Sequence, residues 1–186
     1  MKSVPLNPDG PPQGADARPS SAPRFDDIYN DHFSFVWRCL RGLGVEPEAL
    51  ADAAQDVFLV VHRQLAGFRG ESSPRTWLYG IARHIASNHQ RRVRRKQAAL
   101  DPLVAEPEHP GPGPLERAED AQAASFVEGF VAGLDARKRD VFILAVMEEM
   151  TIPEVAAALA IPVNTAYTRL RAVRAGLEQA LRRHQP

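Results

Sequence analysis

Only one cysteine, Cys39, stands among the 186 residues. A lone thiol excludes an internal disulfide and any cysteine-built zinc cluster, and it is expected to pack as a small apolar group. Long apolar runs are also missing. Runs such as Val57 to Val61 and Val141 to Met147 fall far short of the roughly 20 residues that cross a bilayer, so no membrane insertion is expected. No apolar stretch follows the lysine of the opening MKSVPLNPDGPPQG, which argues against a secretory signal and predicts a cytoplasmic protein. A Gly-rich phosphate loop and a nucleophile motif are absent too. His32, His62, His84, His89, His109 and His184 are scattered; His84 and His89, five apart on a helix, diverge by about 140° and cannot easily share a metal. These absences predict no catalysis, no metal site and no cofactor.

Proline is plentiful, and its placement is informative. Thirteen of 16 prolines lie at residues 5 to 23, at Pro47 and Pro74, or at residues 102 to 114, so they mark boundaries. Residues 1–23 hold six prolines and no aromatic, a composition that cannot bury enough apolar area to offset ordering entropy. A disordered tail is expected there. DPLVAEPEHPGPGP at 101–114 reads as a flexible linker.

Between these segments the apolar spacing is helical and nothing alternates with period two. One stripe runs through Phe25, Ile28, Tyr29, Phe33, Val36, Trp37 and Leu40; a second through Leu50, Ala53, Ala54, Val57, Val61 and Leu65; a third through Trp77, Leu78, Ile81, Ala82 and Ile85. Ser73 is positioned to cap the third helix, with Pro74 in its first turn. In the second half, helices are expected over 115–133 and 136–148. Thr151-Ile152-Pro153-Glu154 reads as a capping box. A short helix then ends near Leu159, and a last one runs from Val163 to Leu181 with Ala166, Leu170, Val173 and Leu177 inward. The expected fold class is therefore all-α: two small helical domains, a three-to-four-helix bundle and a helix-turn-helix, joined by a flexible linker. The boundaries are 1–23 tail, 24–98 first domain, 99–119 acidic linker and 120–186 second domain.

Charge sums to zero but is unevenly spread. Ser72 to Leu100 carries seven Lys or Arg and no acid, and Val163 onward carries five arginines against Glu178, while residues 101 to 120 hold six acids against Arg117. Local sign decides whether a face displaces counterions from a phosphate backbone, so two nucleic-acid contacts are expected. A helix-turn-helix sets the N-terminal half of its second helix in the major groove. Here that half presents Val163, Asn164, Thr165, Tyr167, Thr168 and Arg171, with Arg169 and Arg174 suited to phosphates. On the third helix, Arg83, Ser87, Gln90 and Arg94 share a face flanked by Asn88, Arg91 and Arg95. Phe68, Trp77 and Tyr79 lie nearby, a combination that suits single-stranded DNA. For the Trp77 ring the alternative is plain core, and the two are compatible. The second helix turns Asp52, Gln55, Asp56 and Leu59 outward, either toward a protein partner with a basic helix or simply to solvent.

Three ordered strings carry a family resemblance: Ala51-Asp-Ala-Ala-Gln-Asp-Val-Phe58; Trp77-Leu-Tyr-Gly-Ile-Ala-Arg83 with Arg91-Arg92; and Ile161-Pro-Val-Asn-Thr165 with Arg169-Leu170. Together they resemble the extracytoplasmic-function (ECF) group of bacterial sigma-70 factors, which keeps only regions 2 and 4. The resemblance implies a sigma factor that binds core RNA polymerase and directs it to promoters. Asp52, Gln55, Asp56 and Leu59 would dock on the polymerase clamp coiled coil, and the second domain would meet the flap. The loop bearing Phe68, Ser72 and Ser73, with Trp77, would pocket a base flipped from the minus-10 element. Arg83, His84, Ser87, Asn88, Arg91, Arg92, Arg94 and Arg95 would hold that strand, and the helix from Val163 would read the minus-35 duplex. An anti-sigma partner is implied as well. His84 stands where the family often has Asn, Asn88 where it has Asp, and Tyr167 where Lys is frequent. The competing reading is a stand-alone dimeric helix-turn-helix regulator, which would need a palindromic site.

Overall fold

The computed structural model describes residues 24–99 and 116–184, with the backbone alone at 96–99 and 116–122. The expected tail and most of the expected linker lie outside the described residues. Among the described residues every regular element is helical. The first half is a bundle of α1 (Phe25–Gly42), α2 (Leu50–Gln64) and α3 (Pro74–Ala99), with single 3-10 turns at Pro47–Ala49 and Leu65–Gly67. The second half holds α4 (Glu116–Ala132), α5 (Ala136–Phe142), a π turn at Ile143–Met147, α6 (Ile152–Leu159) and α7 (Val163–His184). The sequence predicts one helix over 136–148; instead α5 widens into the π turn and stops at Glu148.

The stripes of α1, α2 and α3 converge on one core in which Val36, Leu40, Val57, Val61 and Leu78 are fully buried. Cys39 packs there as the expected small apolar group, and burial pushes its thiol pKa up. The α3 start is capped as expected, Ser73 Oγ accepting from the Thr76 N–H at 3.2 Å. One correction concerns the α1 stripe. Tyr29 is exposed and Phe25, Phe33 and Trp37 are only half-buried. With Phe58 and Leu59 they line an open aromatic cleft of about 590 Å³ between α1 and α2.

In the second half, the Glu154 carboxylate accepts from the Thr151 N–H at 2.8 Å and from its hydroxyl at 2.7 Å, closing the capping box that starts α6. Ala160 ends α6 in the left-handed region, at φ 51°, so the chain turns sharply into α7. Ala166, Leu170 and Val173 are buried on α7, as its spacing predicts.

The two halves share a core. Val141, Ile143, Leu144, Met150, Val155 and Ala166 join the cluster built by α1 to α3, and α6 packs against α3. One close approach is at Gly42, where a Cβ would stand 2.9 Å from Ile143 Cγ1. Only glycine leaves room there.

Candidate nucleic-acid and partner-docking faces

Three surfaces gather the residues singled out by sequence. On α2, helical spacing turns Asp52, Gln55, Asp56 and Leu59 outward, and all four are exposed, Leu59 at 46%. Leu59 sets one apolar side chain among these carboxylates. It adjoins the aromatic cleft, so the face is larger than the four residues the sequence singles out. Asp56 also meets His89 of α3 at 3.4 Å.

The second surface is α3 and the loop before it. Phe68 and Trp77 stack with centroids 4.7 Å apart and rings tilted by 24°. They wall a cleft of about 560 Å³ with Arg63, Arg69, Glu71 and Ser72. A flat aromatic floor beside cations and a hydroxyl suits an unstacked base. The Ser73 hydroxyl is spent on Thr76, and Gln90 is spent on Leu43, whose carbonyl accepts from its Nε2 at 2.6 Å. His84, Ser87, Asn88, Arg91, Arg92, Arg94 and Arg95 are exposed. Arg91 leans back on its own helix, donating to Asn88 Oδ1 at 3.0 Å.

Arg83 and Tyr79 behave otherwise. Tyr79, placed by sequence reading beside the nucleic-acid face, is fully buried, and its hydroxyl donates to Asp140 Oδ1 at 2.7 Å. Arg83 Nε stands 3.1 Å from Asp140 Oδ2. Burial, joined by the Asp140 charge, pushes the Tyr79 phenol pKa up, and burial also raises that of Asp140. A second cross-link lies beside α1. Arg38 grips the buried Glu148 carboxylate with two bonds, 2.7 and 2.6 Å, and that hydrogen bond raises the guanidinium pKa. Arg75 adds a contact at 3.5 Å and donates to the Glu148 carbonyl at 3.2 Å, while lying over the Phe35 ring at 4.9 Å. Arg75 therefore leaves the basic face that sequence charge assigned it to.

The third surface is the N-terminal half of α7. Val163, Asn164, Tyr167, Thr168, Arg171 and Arg174 are exposed, Tyr167 at 56%, and Thr165 and Arg169 are half-buried. The Thr168 hydroxyl bonds back to the Asn164 carbonyl at 2.9 Å. No cluster of metal-ligating side chains occurs among the described residues, and no described helix is long and apolar enough to cross a membrane.

A three-helix bundle with a basic edge, followed by a helix-turn-helix whose second helix opens outward, defines a two-part helical DNA-binding protein. Comparison with known proteins narrows this. Residues 28–96 match the model for Sigma-70 region 2, and residues 127–177 match that for Sigma-70 region 4. The chain is 30% identical over 147 residues to the ECF RNA polymerase sigma factor SigC of Mycobacterium tuberculosis, covering 76% of this chain and 75% of the relative. It is 29% identical over 167 residues to the ECF RNA polymerase sigma factor SigW of Bacillus subtilis, covering 84% and 86%. The ferric citrate uptake sigma factor FecI of Escherichia coli is 27% identical over 143 residues, covering 76% and 81%. Among solved structures, CnrH in complex with the cytosolic domain of CnrY shares the fold with a TM-score of 0.64 at 23% identity, covering 87% of this chain and 89% of that one. The sigma factor RpoE of Bartonella quintana, in complex with the anti-sigma factor NepR, does so at 0.67 and 20%, covering 85% and 96%. The chain belongs to the sigma-70 family of RNA polymerase sigma factors, in its ECF group.

Proposed function

We propose that this sigma factor docks on core RNA polymerase through Asp52, Gln55, Asp56 and Leu59 and recognises promoters through two unlike contacts. The Phe68–Trp77 cleft takes a base of the minus-10 strand, whose phosphates run along Arg83, Arg91, Arg92, Arg94 and Arg95. The exposed start of α7, from Val163 to Arg174, reads the minus-35 duplex. The observation that carries this reading is the presence in one chain of three separate exposed faces: an acidic-apolar one on α2, a basic one with an aromatic floor on α3, and a groove-reading one on α7. A stand-alone regulator needs only the last. The acidic and aromatic faces favour a polymerase subunit over a dimeric regulator.

Phosphodiester chemistry then belongs to the polymerase, and the chain acts without a catalytic site of its own. Its place is the cytoplasm, where core polymerase works. An anti-sigma factor is the expected negative partner, in keeping with the solved structure of RpoE, which holds the anti-sigma factor NepR. The test is binding to purified core polymerase by the wild type and by Asp52→Lys with Asp56→Lys. Loss of binding with helicity retained supports the docking face, and unchanged affinity overturns it.

A further inference from the structure

We infer that the aromatic cleft between α1 and α2 is the seat of this chain's own N-terminal segment, Val4 to Pro12, and that the seated segment competes with core polymerase for α2. The competition rests on the reading of α2 as the docking face; the seat itself does not.

The cleft, about 590 Å³, is walled by Phe25, Tyr29, Phe33 and Trp37 of α1 and by Phe58 and Leu59 of α2. Its rings form a ladder: Tyr29 lies 5.4 Å from Phe33, Phe33 lies 5.8 Å from Trp37, and Phe58 lies 4.7 Å from Tyr29, between centroids. Phe33 and Phe58 are nearly parallel, 15° apart with centroids at 6.0 Å. Tyr29 is 40% exposed and Leu59 46%, so the ladder presents its apolar area outward. No Asp, Glu, Lys or Arg among the described residues lines it, which suits an uncharged apolar occupant rather than a phosphate backbone. A row of rings is the surface that proline-rich segments fill. Pyrrolidines pack on aromatic faces, and a fixed φ means that little entropy is lost on docking.

Such a segment stands just ahead of the cleft in the chain. Val4-Pro5-Leu6-Asn7-Pro8-Asp9-Gly10-Pro11-Pro12 holds four prolines and two aliphatic side chains, and the residues after it lead into Phe25, the first ring of the cleft. From Phe25 to Trp37, α1 rises about 18 Å, which a polyproline-type segment spans with about six residues at ~3.1 Å each. Residues 13–24, between segment and cleft, reach up to roughly 40 Å, so the segment can lie along the rings in either direction. A tether this short gives an effective concentration on the order of 1 mM, so a contact of only millimolar affinity fills the cleft about half the time. Gln55 and Leu59 belong both to the cleft and to the docking face. A filled cleft therefore obstructs the polymerase contact.

The experiment uses the full chain with a nitroxide at Ser3→Cys, Cys39 being buried. Paramagnetic relaxation is read at the Leu59 methyls and at α1 beside Tyr29, and affinity for purified core polymerase is measured alongside. Two variants remove the two sides of the contact. One carries Pro5→Ser, Pro8→Ser, Pro11→Ser and Pro12→Ser; the other carries Tyr29→Ala, at an exposed position. The expected result is strong enhancement at both sites in the parent chain and at least threefold less in both variants. Core binding by the proline variant should tighten about twofold or more, as it does when a competing state is removed. Enhancement no stronger at the cleft than at exposed Val163 on α7, or enhancement retained in both variants, overturns the seat. Enhancement that passes between separately labelled copies gives the cleft to a second copy and overturns it as well. Loss of enhancement in the proline variant with unchanged core affinity overturns the competition. If enhancement behaves as expected but no form of the protein binds core polymerase, the docking reading fails and the seat stands.

Discussion

Arg38 and Glu148, 110 residues apart in the chain, meet in a two-pronged ion pair of 2.7 and 2.6 Å with the carboxylate fully buried. Both ends of the relationship follow from local structure. Arg38 projects from the last turns of α1, and the π turn delivers Glu148 beside it. Removing one partner of a buried pair leaves an uncompensated charge. Arg38→Ala should therefore cost about 2–4 kcal/mol, somewhat below the range for fully buried pairs because Arg38 is part exposed and Arg75 remains nearby. Urea unfolding checks this, and a loss below 0.5 kcal/mol, the scale of an ordinary exposed change, would contradict it.

Tyr79 gives a second test. Tyr79→Phe keeps the ring volume but strips a buried carboxylate of its hydrogen bond, at an expected cost of about 1–3 kcal/mol. The apolar seat is unchanged, so helicity should persist. Equal stability of the two proteins would show that Asp140 finds another partner.

The Asp140 carboxyl also predicts a pH dependence. Burial lifts its pKa above the ordinary aspartate range, against the opposing hydrogen bond from Tyr79 and the charge of Arg83. The folded chain thus binds this proton more tightly than the unfolded chain does. Its contribution is full below the ordinary aspartate pKa and is lost as pH climbs through the raised value. The stability difference between wild type and Asp140→Asn should fall across that acidic window, and a flat difference would refute the assignment. His32 acts with the opposite sign at higher pH. Burial lowers its pKa, so its penalty is full below the lowered value and gone above about 6.5.

On the nucleic-acid face, Arg91→Ala with Arg94→Ala should weaken open-complex formation and reduce its salt dependence by roughly one to two units of slope if both touch single-strand phosphate. Asn164→Ala should instead act on duplex sequence preference, costing about 1–3 kcal/mol at one base position. A variant series read against salt separates the two effects. An unchanged slope in the arginine pair would make the end of α3 a bystander.

Much of this was legible in the residues, and what escaped has a common cause. The stripes of α2 and α7 and the capping box at Thr151 and Glu154 are local patterns of period or spacing, and the fold keeps them. Burial of Asp140 and Glu148 depends on partners 57 to 110 residues away, such as Arg83 and Arg38, which no local period encodes. Tyr79 has the same cause: on α3 it sits beside a basic run, and its hydroxyl partner, Asp140, lies 61 residues away in the second half. The cleft at Tyr29 and Phe33 was missed because period marks a stripe as apolar without saying whether anything covers it. One signal for Glu148 was present, since it falls in register with Val141, Leu144 and Ala145, an acid where the spacing calls for an apolar residue.

The most direct measurement is run-off transcription by purified core polymerase on a genomic fragment library, with and without the protein. New starts that share two upstream elements, one read as duplex and one melted, are predicted. They should vanish with Asp52→Lys and Asp56→Lys. Absence of core binding, with tight binding of the isolated protein to a palindromic duplex, would contradict the account.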